Sequence, residues 1–474
     1  MNLHAAPPAL AVEGLAVLHG ERALVRDISF SIPAGGVFTL LGESGSGKSL
    51  LAQAIMGNLP APLRCEGRVA IGGETTQAGD QSSRHPGWGR RLALLPQEPW
   101  LALDPTMIVA SQVAETHALV ANAPRARAAT LAARALASLG LSDAARKYPF
   151  MLSGGMAQRV AFLATHAAGA PLMIVDEPTK GLDAGRRGEV LALLQTAQAQ
   201  GMALLCITHD IWLARALKGR LAVMLDGAMI ETGDAAEVLA APRHAYTRRL
   251  LAADPASWPA WPAPAAAPAA AADALVQVEQ VGKSFGRQVL FAGVDAGIGP
   301  GEIVAVSGPS GSGKTTFGNI VLGLVRPDSG RVRRAPGLAP TAFQKIQQDP
   351  GAAFAPRIRL RQSLLDLVTL HRLDWAALEA LLERMRLAPA LLERLPHQVS
   401  GGELQRIALA RVLLMKPALI FADEPTSRLD PVTQQDVFAL MREQLHDARC
   451  ALLLVTHDAD IVGSVAQRRI DLGG

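Results

Sequence analysis

The stretch "VFTLLGESGSGKS" at residues 37–49 joins an apolar strand pattern to a glycine-rich turn. The turn fits the spacing G-x-x-x-x-G-K-[ST], which is typical of a phosphate-binding loop between a strand and a helix. Gly42, Gly45 and Gly47 let the backbone curl so that its N–H groups face phosphate oxygens. A helix that begins near Lys48 adds the positive end of its dipole. The stretch therefore predicts a phosphate site at the end of a buried strand.

The glycine-rich stretch recurs as "IVAVSGPSGSGKT" at 303–315. Three more motifs are repeated in the same order: "LSGGMAQR" (152–159) as "VSGGELQR" (399–406), "IVDEPTKGLD" (174–183) as "FADEPTSRLD" (421–430), and "LLCITHD" (204–210) as "LLVTHD" (453–458). All offsets lie near 250 residues, so the chain is a domain duplication. We predict one domain at 1–257 and a C-terminally abbreviated one at 275–474. The proline-rich linker between them, 258–274, cannot form a continuous helix.

Each half alternates apolar strands with amphipathic stretches, which predicts an α/β fold. Three strands in each half end in a polar residue, and open α/β sheets bind ligands at that edge. The 474 residues are 49% hydrophobic with a net charge of +4, which suits globular domains and gives no sign of a nucleic-acid partner. No signal peptide or run of about 20 apolar residues is present, so we expect a cytoplasmic protein.

The residues at the strand ends suggest nucleotide chemistry. Lysine in each glycine-rich loop can reach the β- and γ-phosphates, and the hydroxyl that follows can bind Mg²⁺. The aspartate of each "DE" pair suits Mg²⁺ binding, and the glutamate suits a general base for the attacking water. Strand alternation is expected to turn the glutamate away from the aspartate, toward the γ-phosphate side. The strand-end histidines suit a γ-phosphate contact. These predictions fall on Lys48, Ser49, Asp176, Glu177 and His209 in the first half, and on Lys314, Thr315, Asp423, Glu424 and His457 in the second.

The order of these motifs resembles that of ATP-binding cassette (ABC) ATPases, and two such domains match at about 10–250 and 275–470. The resemblance implies two P-loop domains, each with a RecA-like core, an antiparallel β subdomain and a helical subdomain that carries the "SGG" signature. It also implies ATP and Mg²⁺ as cofactors. Gln97 and Gln348 become glutamine-loop residues that sense Mg²⁺ and water and couple to a membrane partner. The remaining P-loop contacts fall on Gly308, Ser310, Gly311, Gly313 and Thr316.

In this family two domains pair head to tail, and the signature loop of one covers ATP on the P-loop of the other. Ser153 and Gly155 would then cover the site of Lys314, while Ser400 and Gly402 would cover the site of Lys48. The resemblance also implies D-loop residues at the seam, Asp183 and Asp430, and an aromatic that stacks on the base, for which Phe285 and, less well, His19 are the candidates.

Two further segments indicate which subfamily of ABC ATPases the chain resembles. "QEPWLALDPTM" (97–107) and "APRHAYTRRLL" (241–251) resemble segments of importer ATPases for peptides, glutathione, nickel or metal–metallophore complexes. This implies two membrane permeases and an extracytoplasmic solute-binding protein as partners, with the chain on the inner face of the membrane. Such peptide transporters often carry a cysteine-rich iron–sulfur region, and three distant cysteines favour the nickel or metallophore branch.

Departures and alternatives remain. Lys48 and Gln97 are 49 residues apart, whereas Lys314 and Gln348 are 34 apart, so the second β subdomain is shortened. His166 has no counterpart in the family pattern. A tandem-ABC translation factor that acts on ribosomes is the main alternative, but it should have a long charged helical linker. A DNA-repair ATPase of this family would need zinc cysteines or long coiled coils, which the sequence does not contain.

Overall fold

The computed structural model describes residues 7–96, 102–180, 182, 184–261, 274–286, 288–309, 311–427 and 429–472. The chain forms two compact units, Met1–Ala252 and Ala253–Gly474. Three predicted site residues, Gln97, Asp183 and Ser310, lie outside the described residues. Most of the predicted linker, 262–273, lies outside them as well.

The described residues of the first unit form ten strands. In chain order they are β1 (Leu10–His19), β2 (Arg22–Ile32), β3 (Val37–Leu41), β4 (Arg64–Ile71), β5 (Glu74–Gln77), β6 (Leu92–Leu95), β7 (Leu172–Asp176), β8 (Ala203–Thr208), β9 (Arg220–Leu225) and β10 (Ala228–Asp234). Its α-helices are α1 (Lys48–Met56), α2 (Val109–Glu115), α3 (Arg125–Ser138), α4 (Gly154–His166), α5 (Ala184–Ala199), α6 (Ile211–Leu217), α7 (Ala235–Ala240) and α8 (Ala245–Ala252).

Two sheets organise the first unit. The antiparallel sheet has the order β2-β1-β4-β5, and the core sheet has the order β10-β9-β3-β8-β7-β6. Strands β3, β6, β7, β8 and β9 run parallel, and β10 is antiparallel to β9. Parallel strands are covered on both faces, which explains why β3 and β8 are apolar or buried at every position. Their carboxyl ends therefore meet at one edge, where the polar residues begin.

The second unit repeats this plan. Its strands are β11 (Val276–Phe285), β12 (Gln288–Ile298), β13 (Ile303–Ser307), β14 (Ser329–Arg334), β15 (Phe343–Ile346), β16 (Leu419–Asp423), β17 (Ala451–Val455) and β18 (Arg468–Asp471). Its α-helices are α9 (Lys314–Leu322), α10 (Leu360–His371), α11 (Trp375–Arg384), α12 (Gly401–Leu414), α13 (Pro431–Ala448) and α14 (Ala459–Val465). The parallel core sheet has the order β15-β16-β17-β13-β18. Within the described residues its antiparallel sheet has three strands, β12-β11-β14, one fewer than in the first unit. This difference accounts for the shorter spacing between Lys314 and Gln348.

The start of the predicted linker is folded. Trp258 and Trp261 both pack edge-on against Phe438 of α13, with ring centroids 5.4 and 6.2 Å away. The backbone N–H of Trp261 donates to the carbonyl of Ser464 on α14 at 2.7 Å. Residues 258–261 therefore belong to the second unit, although the sequence analysis placed them in the linker.

No helix in the described ranges is both long and apolar enough to cross a lipid bilayer.

His166 has a structural explanation. It lies in the last turn of α4 and stacks on Phe162, with ring centroids 5.5 Å apart and ring planes 11° apart. Burial lowers the pKa of His166. The folded unit therefore favours the neutral ring, and protonation below the ordinary histidine pKa of 6.5 works against folding.

The substitution His166→Phe keeps the ring stack and removes this titration. The free energy of unfolding of the first unit should then fall less between pH 7.5 and 5.5 than in the wild type. Urea-dependent hydrogen exchange over residues 154–166 measures this free energy of unfolding for the first unit alone. The control His19→Gln changes an exposed histidine of the same unit and should follow the wild-type curve. Parallel curves for His166→Phe and wild type would contradict the explanation.

Candidate nucleotide-binding sites

The first glycine-rich loop connects β3 to α1 and wraps around a buried lysine. The ammonium of Lys48 donates to the carbonyls of Gly42 and Glu43, both at 2.8 Å. Gly47 has a left-handed backbone, φ 100°, and ends the loop at the N-terminus of α1. Gly45, φ 86°, has open space where a Cβ would point. The loop thus offers exposed backbone, a helix N-terminus and a lysine at one place, which suits a polyphosphate.

Gly42 is required for a different reason. A Cβ at this position would lie 2.4 Å from the backbone oxygen of Met224 on β9. Strand β9 is the parallel neighbour of β3, so the loop can leave the sheet here only without a side chain. This close approach fixes where the phosphate loop begins.

The second loop has the same construction. The ammonium of Lys314 donates to the carbonyls of Gly308 and Pro309 at 2.8 and 2.9 Å. Gly313 has φ 91° and precedes α9, whose first turn contains Thr315 and Thr316. Gly311, φ 85°, has open space at its Cβ position, as Gly45 does.

The oxygens expected to hold Mg²⁺ lie together in the first unit. The hydroxyl of Ser49 lies close enough to the carboxyl of Asp176 to act on the pKa of Asp176, which it lowers. The Oδ1 atom of Asp176 is buried without a hydrogen-bond partner. Burial, followed by the charge of Glu177, raises the pKa of Asp176, and a cation there would relieve both effects. Hydroxyl and carboxylate oxygens are ligands that Mg²⁺ takes, so these residues fit the ion. In the second unit Asp423 ends β16 in the equivalent, buried position.

Glu177 reaches its position by a backbone feature that the sequence analysis did not anticipate. Strand alternation was the expected reason why Glu177 and Asp176 diverge. Instead β7 ends at Asp176, and Glu177 has a left-handed backbone, φ 49°. Its N–H donates to the carbonyl of Ile207 on β8 at 2.8 Å. A non-glycine residue in this region is strained, and such strain is concentrated at functional sites.

The carboxylate of Glu177 is paired. Its Oε2 atom lies 2.8 Å from Nδ1 of His209 and 3.3 Å from the hydroxyl of Thr208. Burial acts to raise the pKa of Glu177, but His209 and Lys48 outweigh burial and leave the pKa lowered. The first unit therefore holds an ionised glutamate next to its histidine.

The second unit differs at this point. Glu424 has the same left-handed backbone, φ 51°, but its Oε1 atom lies 3.5 Å from Nε2 of His457 and has no hydrogen-bond partner. Burial and the neighbouring charge of Asp423 raise the pKa of Glu424 to about 8. The duplicated glutamates thus have opposite pKa shifts.

Each signature loop begins a helix in its own unit. Ser153 caps α4 by accepting from the N–H of Met156, and Ser400 caps α12 by accepting from the N–H of Glu403. Gly155 and Gly402 lie in the first turn of these helices, where backbone N–H groups lack intrahelical partners.

Two glutamines in these helices make contacts that were not predicted from the sequence. Nε2 of Gln158 donates to the carbonyl of Pro178 at 2.5 Å, and Nε2 of Gln405 donates to that of Glu424 at 3.1 Å. The bond of Gln158 ties its signature helix to the residue that follows the strand-end glutamate, and the bond of Gln405 ties its helix to the backbone of the glutamate itself. The only available signal was the Q in both copies, "SGGMAQR" and "SGGELQR".

The structure also places the residues predicted to stack on the base and those predicted for the glutamine loop and the D-loop. His19 ends β1 and pairs with Arg22, and Phe285 ends β11 and pairs with Gln288. The Phe285 ring is 57% exposed and so could stack on a base. Gln348 is exposed after β15. Asp430 is buried and caps α13 by accepting from the N–H of Thr433 at 3.0 Å. These roles stay predictions.

The fold and these loops define a P-loop ATPase with two nucleotide-binding domains. The family described as "ABC transporter" matches residues 25–180 and 291–427. The chain belongs to the ABC transporter family. It is an ATP-binding subunit with two fused ATPase domains, and its hydrolysis of ATP is coupled to transport across a membrane.

Individual relatives agree with this assignment. The chain is 32% identical to the peptidoglycan transport ATP-binding protein YejF of Agrobacterium fabrum, over 97% of this chain and 90% of that one. It is also 32% identical to the glutathione import ATP-binding protein GsiA of Escherichia coli, over 97% and 84%. The structure is similar to that of an archaeal ribosome recycling factor, with a TM-score of 0.63 and 21% identity, over 92% and 83% of the two chains. That likeness shows the fold alone.

Gly42→Ala should lower the free energy of unfolding of the first unit by about 1–3 kcal/mol, because the new Cβ overlaps the Met224 oxygen. The matched control is Gly188→Ala, on the exposed face of α5, where a Cβ meets nothing. It should raise the same free energy by roughly 1 kcal/mol. Urea-dependent hydrogen exchange of α1 measures both variants. An unchanged stability of Gly42→Ala would show that the close approach does not fix the loop.

Proposed function

We propose that this chain is the ATP-hydrolysing motor of an importer for peptide-containing solutes or metal chelates. It would act peripherally on the inner face of the cell membrane, with two permease subunits and an extracytoplasmic solute-binding protein. The observation that carries the proposal is the complete duplication of the site: each unit has a P-loop lysine, a strand-end aspartate, a left-handed glutamate and a histidine.

The solute class is inferred from relatives. The names of the relatives reported above refer to glutathione import and peptidoglycan transport. Both solutes contain peptide bonds, which favours a peptide-containing solute over the nickel or metallophore solutes that the cysteine count suggested. Substrate selection would belong to the binding protein and the permeases.

The site residues would have the following roles in ATP hydrolysis. Lys48 and Lys314 would neutralise charge on the β- and γ-phosphates. Ser49 and Asp176, or Thr315 and Asp423, would hold Mg²⁺, which supplies Lewis-acid polarisation of the phosphoryl oxygens when bound.

Glu177 and Glu424 would accept a proton from the attacking water, and His209 and His457 would orient them. In the first unit the geometry is already suited to this, since Glu177 is ionised and 2.8 Å from its histidine. In the second unit the raised pKa of Glu424 would leave a larger fraction of this carboxyl protonated near neutral pH.

Head-to-tail pairing of the units would complete both sites. Small residues at Gly155 and Gly402 allow close approach of another chain segment, and Ser153 and Ser400 open helix N-termini that favour a γ-phosphate. Gln158 and Gln405 would pass a displacement of the signature helix to the glutamate of the same unit. Pairing would thereby link hydrolysis at one site to the arrangement of the other.

One set of variants tests catalysis and pairing together. Glu177→Gln should slow hydrolysis at the Lys48 site by about 100-fold or more, because it removes the base, and should leave one nucleotide held per chain. Adding Ser400→Arg should release that nucleotide, because Ser400 would cover this site. Adding Ser153→Arg is the matched control and should leave it held. Retention of labelled ATP after gel filtration gives the count. Release by Ser153→Arg instead would contradict the pairing.

The transport role is tested in cells. A strain that carries Glu177→Gln and Glu424→Gln should lose ATP-dependent uptake of a labelled dipeptide, glutathione, muropeptide or nickel chelate, and should translate normally. The wild-type chain should co-purify with integral-membrane subunits. Normal uptake of all these solutes, together with co-sedimentation of the chain with ribosomes, would favour the translation-factor alternative.

A further inference from the structure

A side chain outside the nucleotide-binding motifs holds the first P-loop. The backbone N–H of Glu43, in the loop between β3 and α1, donates to the hydroxyl of Tyr246 at 3.1 Å. Tyr246 lies 203 residues further along the chain, on α8, the last helix of the first unit. The P-loop is therefore supported by a segment that no phosphate-binding pattern includes.

This bond acts on the peptide group that receives the P-loop lysine. The carbonyl of Gly42 accepts from the ammonium of Lys48 at 2.8 Å, and the N–H of the same peptide group, on Glu43, donates to Tyr246. A peptide group is planar and stiff. Fixing the direction of its N–H also fixes the direction of its carbonyl, and so the place where Lys48 is held.

The second unit fixes the corresponding peptide group in a different way. Pro309 stands at the position of Glu43, and proline has no backbone N–H to be held. The carbonyl of Gly308 still accepts from Lys314 at 2.8 Å. The pyrrolidine ring restricts this backbone locally, whereas the first unit relies on a distant tyrosine.

Tyr246 is itself fixed by a small polar network. The carboxylate of Glu231, on β10, accepts from the N–H groups of Arg243 and His244 at 2.7 and 3.0 Å. Nδ1 of His244 accepts from the N–H of Tyr246 at 3.1 Å. Burial acts to raise the pKa of Glu231, but the N–H donors outweigh it and leave the pKa lowered, so the carboxylate stays charged. The network sets where α8 begins and thus where the hydroxyl points.

We propose that Tyr246 is a positioning residue for the first ATP site, whose hydroxyl orients the Gly42–Glu43 peptide and through it the ammonium of Lys48. This inference rests on the proposed assignment of residues 42–49 to the ATP phosphates. It makes nucleotide affinity at the first P-loop depend on the segment from Glu231 to α8. The second P-loop has no such dependence, because Pro309 cannot take part in the bond.

The test uses the full-length chain with Lys314→Ala, so that nucleotide binding reports the first P-loop. Tyr246→Phe removes the acceptor and keeps the ring. Affinity for a fluorescent, non-hydrolysable ATP analogue should fall roughly three- to tenfold, as expected for the loss of one neutral hydrogen bond. In the nucleotide-free chain, hydrogen exchange of the Glu43 amide should become about tenfold faster. Tyr148→Phe, which changes the only other tyrosine, is the matched control and should alter neither value.

A rescue variant separates this role from general packing. Glu43→Pro installs in the first loop the residue that the second loop has at this position. In that background Tyr246→Phe should change the affinity less than twofold, since there is no N–H to hold. An equal loss of affinity with and without Glu43→Pro would overturn the proposal. Unchanged exchange of the Glu43 amide in Tyr246→Phe would also overturn it, and this measurement does not need the proline variant.

Lys48→Ala separates the assignment of the phosphate site from the role of Tyr246. If it binds the analogue as tightly as its parent, the assignment of the phosphate site is wrong. If it loses binding while Tyr246→Phe does not, the site is correct and only the role of Tyr246 is wrong.

Discussion

The ammonium group of each P-loop lysine is held by two carbonyl oxygens of its own loop, and the geometry of each site depends on this constraint. The loop can curl around Lys48 because Gly42 passes the Met224 oxygen without a side chain and Gly47 takes a left-handed backbone. The phosphate-binding loop begins at the end of β3. Strands β8 and β9, which flank β3 in the sheet, end beside this loop. The position of Asp176 follows from the pairing of β7 with β8, and that of Glu177 from the hydrogen bond of its N–H to Ile207 on β8.

Much of this could be predicted from the sequence. Runs such as "LMIVD" and "ALLCIT" are apolar up to their last residue, which is expected only where a sheet is covered on both faces. The first polar residue after such a run then marks the sheet edge. This reasoning places Asp176 and His209 correctly without any tertiary information, because carboxyl ends of parallel strands meet at the same edge.

The remaining features depend on contacts that local sequence does not contain. Strand alternation was the wrong reason for the direction of Glu177, because the carbonyl of Ile207 captures its N–H and turns the backbone left-handed. Tyr246 was quoted only as part of a family segment, since nothing nearby in sequence indicates a partner 203 residues away. Likewise, Trp258 and Trp261 were predicted to be in the linker because proline and alanine surround them. In the structure both indole rings pack against Phe438 and bury apolar surface there.

Fusion of the two copies in one chain allows the sites to differ. In a homodimer each substitution appears at both sites, whereas here each copy can change alone. The first site combines a paired, ionised Glu177 with a P-loop that takes support from a distant helix. The second combines Glu424, whose pKa is raised to about 8, with a loop stiffened locally by Pro309. The two copies thus differ in the direction of the pKa shift of their glutamate and in the support of their loop, which is a distant helix in the first copy and a proline in the second. The same chemical groups are therefore set to different resting states by their surroundings, so the two sites need not work at the same rate even though their motifs match.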